Sequence, residues 1–174
     1  MTAAITKRPD SSEYATYYEG YISKVPDGDL VETLRRQLDD TLGLIKGIPE
    51  ERGVFRYAEG KWSIKEVIGH VIDGERIFAY RVLRFGRGDA TPLASFEQDG
   101  YIPTGNFNKR TLADLSNEYG HVRRSTISLL ENMDAEAWAR RGTASDNEVS
   151  VRALAYIIAG HERHHVDILR TKYL

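Results

Sequence analysis

Apolar residues recur at three- and four-residue steps in four separate stretches of the chain, the period of a helix that buries one face. The first runs Leu30, Leu34, Leu38, Thr41, Leu42, Ile45 and Ile48 and stops at Pro49, which has no N–H to continue a helix. The second opens on Ser63 with Glu66 three residues later, a pair in which each side chain satisfies a free backbone N–H at a helix start. Its stripe is Ile64, Val67, Ile68, Val71, Phe78, Ala79 and Val82, and it ends near Gly86 and Gly88. The third starts at Thr111 with Asp114 in its first turn and keeps Leu112, Leu115, Tyr119, Val122, Thr126, Leu129 and Met133 in register. The fourth carries Val151, Leu154, Ile158, His161, His165 and Ile168. Four amphipathic helices with no alternating strand pattern predict an all-α bundle.

The segments between these helices are less regular. Residues 1–28 contain Pro9, Pro26, Gly20 and Gly28, yet also Tyr14, Tyr17, Tyr18 and Tyr21, which is too aromatic for a disordered tail. They are expected to form an arm packed on a bundle domain of residues 29–174. Residues 86–107 hold four glycines and two prolines and no sustained period. A structureless connection of that length inside a compact domain often serves a site, so it reads as a candidate lid from which Asp99 and Tyr101 could reach inward. A short turn at Asp134 to Trp138 and a polar connector through Gly142 lead to the fourth helix.

Composition narrows the chemistry. Lys and Arg number 24 against 26 Asp and Glu, a net charge of −2, so there is no bulk basic field for phosphates, and neither nucleic acid nor an anionic membrane is an expected partner. No run approaches the roughly 18 apolar residues of a membrane span, and MTAAITKRPDSSEY lacks the apolar region of a signal peptide, which points to a soluble, cytoplasmic protein. Cysteine is absent, which rules out disulfides, a thiolate nucleophile and Cys-ligated zinc. A metal would have to sit on nitrogen and oxygen.

Five histidines occur, three of them in GHERHH near the C-terminus. His161 and His165 lie four apart, so on a helix they point within about 40° of each other, along the apolar stripe of Leu154, Ile158 and Ile168. Burying a bare imidazole costs about 1 to 3 kcal/mol unless it is hydrogen-bonded or ligated. Spacing leaves two readings open: a divalent cation held by both nitrogens, or core histidines bonded to groups on other helices. His164 falls on the flank of the stripe. His70 sits on the shoulder of the second helix, where periodicity permits an inward position without requiring it.

WSIKEVIGHVIDGERIF, followed much later by GHERHHVDIL, resembles the DinB superfamily, in particular its YfiT-like metal-binding members related to bacillithiol and mycothiol S-transferases. The arm EYATYYEGYISKVPDGDL and the long loop ending in NFNKRTLADL extend the likeness over nearly the whole chain. The resemblance implies an up-up-down-down four-helix bundle with one divalent ion, zinc or else nickel, held by His70, His161 and His165 near one end. It also implies a homodimer, and for better-characterised members the transfer of a low-molecular-weight thiol to an electrophile. A non-catalytic, stress-related metal-binding bundle and a metal-dependent hydrolase are the alternatives.

Three neutral imidazoles leave a tetrahedral ion one open position, the arrangement of a catalytic site. Ligating histidines commonly give their other N–H to a carboxylate or carbonyl, which makes Glu66, Asp73, Glu75, His164 and Asp167 candidates for orienting the site. Glu75 also lies at the centre of the second helix's stripe, where it needs a partner such as Arg123. No catalytic residue is assigned from the sequence.

Overall fold

The stripes and caps read from the sequence become four long helices in the computed structural model, which describes residues 6–174. Helix α2 (Leu30–Lys46) is capped by Asp29, whose carboxylate accepts from the Val31 N–H at 2.8 Å. Helix α3 (Ile64–Gly86) carries the Ser63 and Glu66 capping box in full, and α5 (Leu112–Glu131) is capped by the Thr111 hydroxyl. Ser150 caps α7 (Val151–Ile168), which continues into a π-helical turn over Leu169–Tyr173. Among the described residues no helix is long and apolar enough to cross a membrane.

Side-chain pairings give the sense of each helix. Arg35 near the start of α2 pairs with Glu131 at the end of α5, so those two run antiparallel. Gln37 donates to the Ala159 carbonyl and Thr41 to Glu162, which makes α2 and α7 parallel. Asn108, just before α5, donates to Glu66 at the start of α3, and Glu75 pairs with Arg123 further along both, so α3 and α5 are parallel. In the up-or-down notation the order is up-down-down-up, where up-up-down-down was expected. The physical reason is residues 87–111, which leave the C-terminal end of α3 and travel back along the bundle, so that α5 restarts beside the beginning of α3.

That return segment is not the structureless lid predicted. Leu93 bridges in parallel to Ala144, and Glu97 caps a short helix, α4 (Gln98–Gly105), that contains Pro103. Two short helices complete the set, α1 (Glu19–Ile22) and α6 (Ala135–Ala139). The connector before α7 is a hairpin of β1 (Arg141–Ala144) and β2 (Asn147–Ser150), turned by Ser145 and Asp146, both at positive φ. This two-residue turn needs left-handed backbone at both positions.

The tyrosine arm packs on the bundle over its described part, residues 1–5 lying outside the described residues. Arg8 donates to the carbonyls of Ile22 and Val25 at 2.7 Å, and the buried Glu13 pairs with Arg152 and accepts from Ser150. The arm runs so close to α7 that a Cβ at Gly160 would collide with the Tyr21 carbonyl. This contact brings Tyr21 to the end of the bundle where the histidines lie.

Candidate metal centre

His70 lies in the second turn of α3, and His161 and His165 lie in the last turns of α7. Because α3 and α7 run antiparallel, these positions meet at one end of the bundle. Their ligand-capable nitrogens all lie within 4.8 Å of one another, and Nε2 of His70 faces Nε2 of His161 at 2.9 Å. His70 and His161 are buried, and His165 is partly open.

Burial sets the charge of the cluster. Desolvation pulls the His70 pKa down to about 4, assisted by His164 and opposed by Asp99 on α4. Desolvation likewise lowers His165 to about 3, with His70 and His164 adding to the fall. His161 falls well below its ordinary value through desolvation and then its three histidine neighbours. All three are therefore neutral near pH 7, the form in which imidazole ligates a metal. An all-nitrogen set of three convergent imidazoles suits a borderline divalent ion such as zinc, with nickel also served by imidazole.

Aromatic rings fix the imidazoles from outside. Trp62 lies 4.8 Å from the His70 ring, and the edges of Tyr21 and Phe78 meet His161 at 5.4 and 5.7 Å. Gly74 leaves the space His161 fills, since a Cβ there would stand 3.0 Å from its Cε1. The sequence predicts an arm packed on the bundle and assigns Trp62 no role at the site. The folded arm brings Tyr21 to His161, and Trp62, just before the cap of α3, lies against His70 in the second turn of that helix.

The residues considered for orienting the ligands are engaged elsewhere. Glu66 accepts from the Ser63 N–H, Arg56 and Asn108, and Asp73 pairs with Arg76. Glu75 takes a bidentate bond from Arg123 at 2.8 Å, the partner its place on the stripe called for. Asp167 pairs with Lys24, while His164 meets the rings of Tyr21 and His165 edge-on. From the crossover, Asp99 acts on His70 through its charge, whereas the exposed Tyr101 lies against Phe96.

Two cavities flank the cluster. One, of about 240 Å³, reaches His161 and is walled by Tyr17, Tyr18, Tyr21, Phe78, Phe96 and Ser145, with Glu97 and Gln98 also lining it. The other, of about 250 Å³, reaches His165 and is walled chiefly by Tyr57, Lys61, Trp62 and Tyr173. The arrangement places three neutral nitrogen donors between two solvent-connected spaces.

Comparison with known proteins gives a match to the DinB superfamily over residues 33–169. Among solved structures, the chain is similar to YfiT from Bacillus subtilis, described as a probable metal-dependent hydrolase with an unusual four-helix bundle topology. That likeness has a TM-score of 0.69 at 12% identity, over 94% of this chain and 92% of that one. A DinB-like protein from Bacillus subtilis, yjoa, superposes with a TM-score of 0.60 at 21% identity, over 81% of this chain and 86% of that one. At these identities the likeness concerns the fold. No curated protein sequence matches the chain.

Proposed function

The chain belongs to the DinB superfamily, and from that premise we propose that it binds one divalent ion through His70, His161 and His165 and transfers a small thiol onto an electrophile. The observation that carries this reading is the convergence of three neutral imidazoles, two of them buried and the third partly open, with a separate cavity on each side. A reaction between two small molecules needs two adjoining subsites, and the bundle end provides them. Zinc is the proposed ion, with nickel as the alternative.

A divalent ion on these nitrogens would supply Lewis acidity, holding a thiol or a water deprotonated near neutral pH. The residues of the chain do the rest. Trp62, Tyr21 and Phe78 hold the imidazole planes, and burial keeps the imidazoles unprotonated and available. In the proposed transfer the thiol sulfur bonds to the electrophilic carbon, the leaving group departs with its electron pair, and the thiol proton goes to solvent.

Hydrolysis is a second reading, favoured by the similarity in fold to YfiT, itself described as a probable metal-dependent hydrolase. Elemental analysis of purified wild type beside His70→Ala and His161→Ala tests the ion: about one equivalent in wild type and little in either variant is expected. Full retention of metal by His70→Ala would refute the site. Loss of free thiol is then followed for metal-loaded protein with a panel of small thiols and 1-chloro-2,4-dinitrobenzene. A rate no higher than that of His70→Ala across the panel removes the transferase reading, and cleavage of an ester panel in its place supports the hydrolase.

A further inference from the structure

Among the described residues three cationic side chains are buried, and two of them have an anion. Lys65 pairs with Glu50, and Arg123 pairs with Glu75 and Glu162. Arg81, on α3 and only 3% exposed, has neutral partners instead. Its Nη2 donates to the Ala94 carbonyl and to Ser145 Oγ, each at 3.0 Å, and the guanidinium lies 5.8 Å from the Phe96 ring centroid. Its charge also acts on the Tyr18 hydroxyl. A guanidinium cannot escape burial by losing its proton, so an uncompensated one is costly to keep.

The partners of Arg81 show where its charge is felt. Ser145 and Tyr18 both line the cavity that ends at His161. The Ser145 hydroxyl accepts from Arg81, which leaves its own O–H free to donate into the cavity, and the Arg81 charge acting on the Tyr18 hydroxyl polarises that O–H for an anionic acceptor in the same way. The hairpin turn between β1 and β2, which sets Ser145 at φ 52, carries the serine hydroxyl to the cavity wall. Glu97 lines the same cavity but is exposed and is used in capping α4, where it accepts from the Asp99 N–H.

We infer that this cavity takes a small thiol bearing a carboxylate, seated on the Ser145 and Tyr18 hydroxyls above Arg81 with its sulfur end towards His161. The thiol part rests on the transferase reading given above. The carboxylate subsite rests on Arg81 and its two hydroxyls.

Isothermal titration with 3-mercaptopropionate and with its methyl ester tests the subsite on metal-free and metal-loaded protein. Wild type is expected to bind the acid at least about tenfold more tightly than the ester in both forms, the scale of one charge-assisted pair. Arg81→Gln should bring the two within about twofold, Arg81→Lys should restore part of the preference, and Arg84→Gln on the outer face of α3 should leave it intact. Equal binding of acid and ester by wild type, or an undiminished preference in folded Arg81→Gln, overturns the inference. Should Arg81→Gln fail to fold, Ser145→Ala and Tyr18→Phe decide: a preference reduced severalfold supports the subsite, and an unchanged one overturns it. A clear acid preference in a protein without S-transfer removes the transferase reading and keeps the subsite, whereas S-transfer without any acid preference does the reverse.

Discussion

Two polar clusters lie in the same apolar core, and they are finished to different degrees. In the first, Arg123 donates Nε and Nη2 to Glu75 and Nη1 to Glu162, and Glu162 also accepts from Tyr119 at 2.7 Å and from Thr41. Charge meets charge, and the hydroxyls fill what remains. In the second, one end of the bundle gathers His70, His161 and His165, whose neighbours are aromatic rings and each other. The ionic cluster ties α2, α3, α5 and α7 together and has no use for a ligand. The histidine cluster gains little from its own members, which is the mark of a site whose stabilising partner comes from outside.

Acid should separate the two most sharply. His70 and His165 have pKa values near 4 and near 3, depressed from 6.5 chiefly by desolvation. The unfolded chain therefore takes up their protons first. Stability of the metal-free protein is full above about pH 6.5 and falls as the pH drops towards 4, by as much as about 1.4 kcal/mol per unit per histidine, with the partly open His165 contributing less. Urea unfolding of metal-free wild type and a His70→Ala, His165→Ala double variant at pH 7 and pH 4.5 measures this. The double variant should lose markedly less stability on acidification. Parallel losses would mean that the cluster is not where the acid sensitivity resides.

Removing the centre of the other cluster should come next in size. Arg123→Met leaves two buried carboxylates without a counter-charge, a change that typically costs about 3 to 5 kcal/mol. Thermal unfolding of metal-free protein reads the loss, and metal content per folded molecule should stay near wild type. If Arg123→Met unfolds no earlier than wild type, the network is dispensable. If it unfolds earlier and also loses its metal, the two clusters are one device and the contrast drawn between them fails.

Much of this contrast was legible in the sequence, though unevenly. His161 and His165 stood out because two imidazoles on an apolar stripe need a joint explanation, and Glu75 stood out because a carboxylate at the centre of a stripe needs a cation. His70 could be placed only through the family resemblance, since its own helix leaves it on a shoulder. The hairpin of Arg141–Ala144 and Asn147–Ser150 escaped because four-residue strands are too short to show alternation. The sense of α5 escaped because it depends on how residues 87–111 lie against α3, which no local period records. Arg81 leaves a trace in the sequence: it lies on the row Gly74, Phe78, Phe85, a lone cation among residues that are all buried.

The finest test of the comparison is Gly74→Ala. Alanine is favoured over glycine within a helix by about 1 kcal/mol, so by propensity alone the variant should be the more stable protein. The added methyl carbon, however, would meet Cε1 of His161 at 3.0 Å, tighter than side-chain contacts normally allow. The ring must give by a few tenths of an ångström or turn, and the nitrogen it presents to the cluster moves with it. Opposed terms leave thermal stability within about 1 kcal/mol of wild type, while divalent-ion affinity falls by about tenfold, the scale at which groups that orient a ligand act. The expected signature is thus a metal dissociation constant that moves while the melting temperature of the metal-free protein hardly does. Movement of both together would mean that the His161 ring is part of the packed core, in the way Arg123 is, and that the histidine cluster has less freedom to accept a ligand than its unfinished geometry implies.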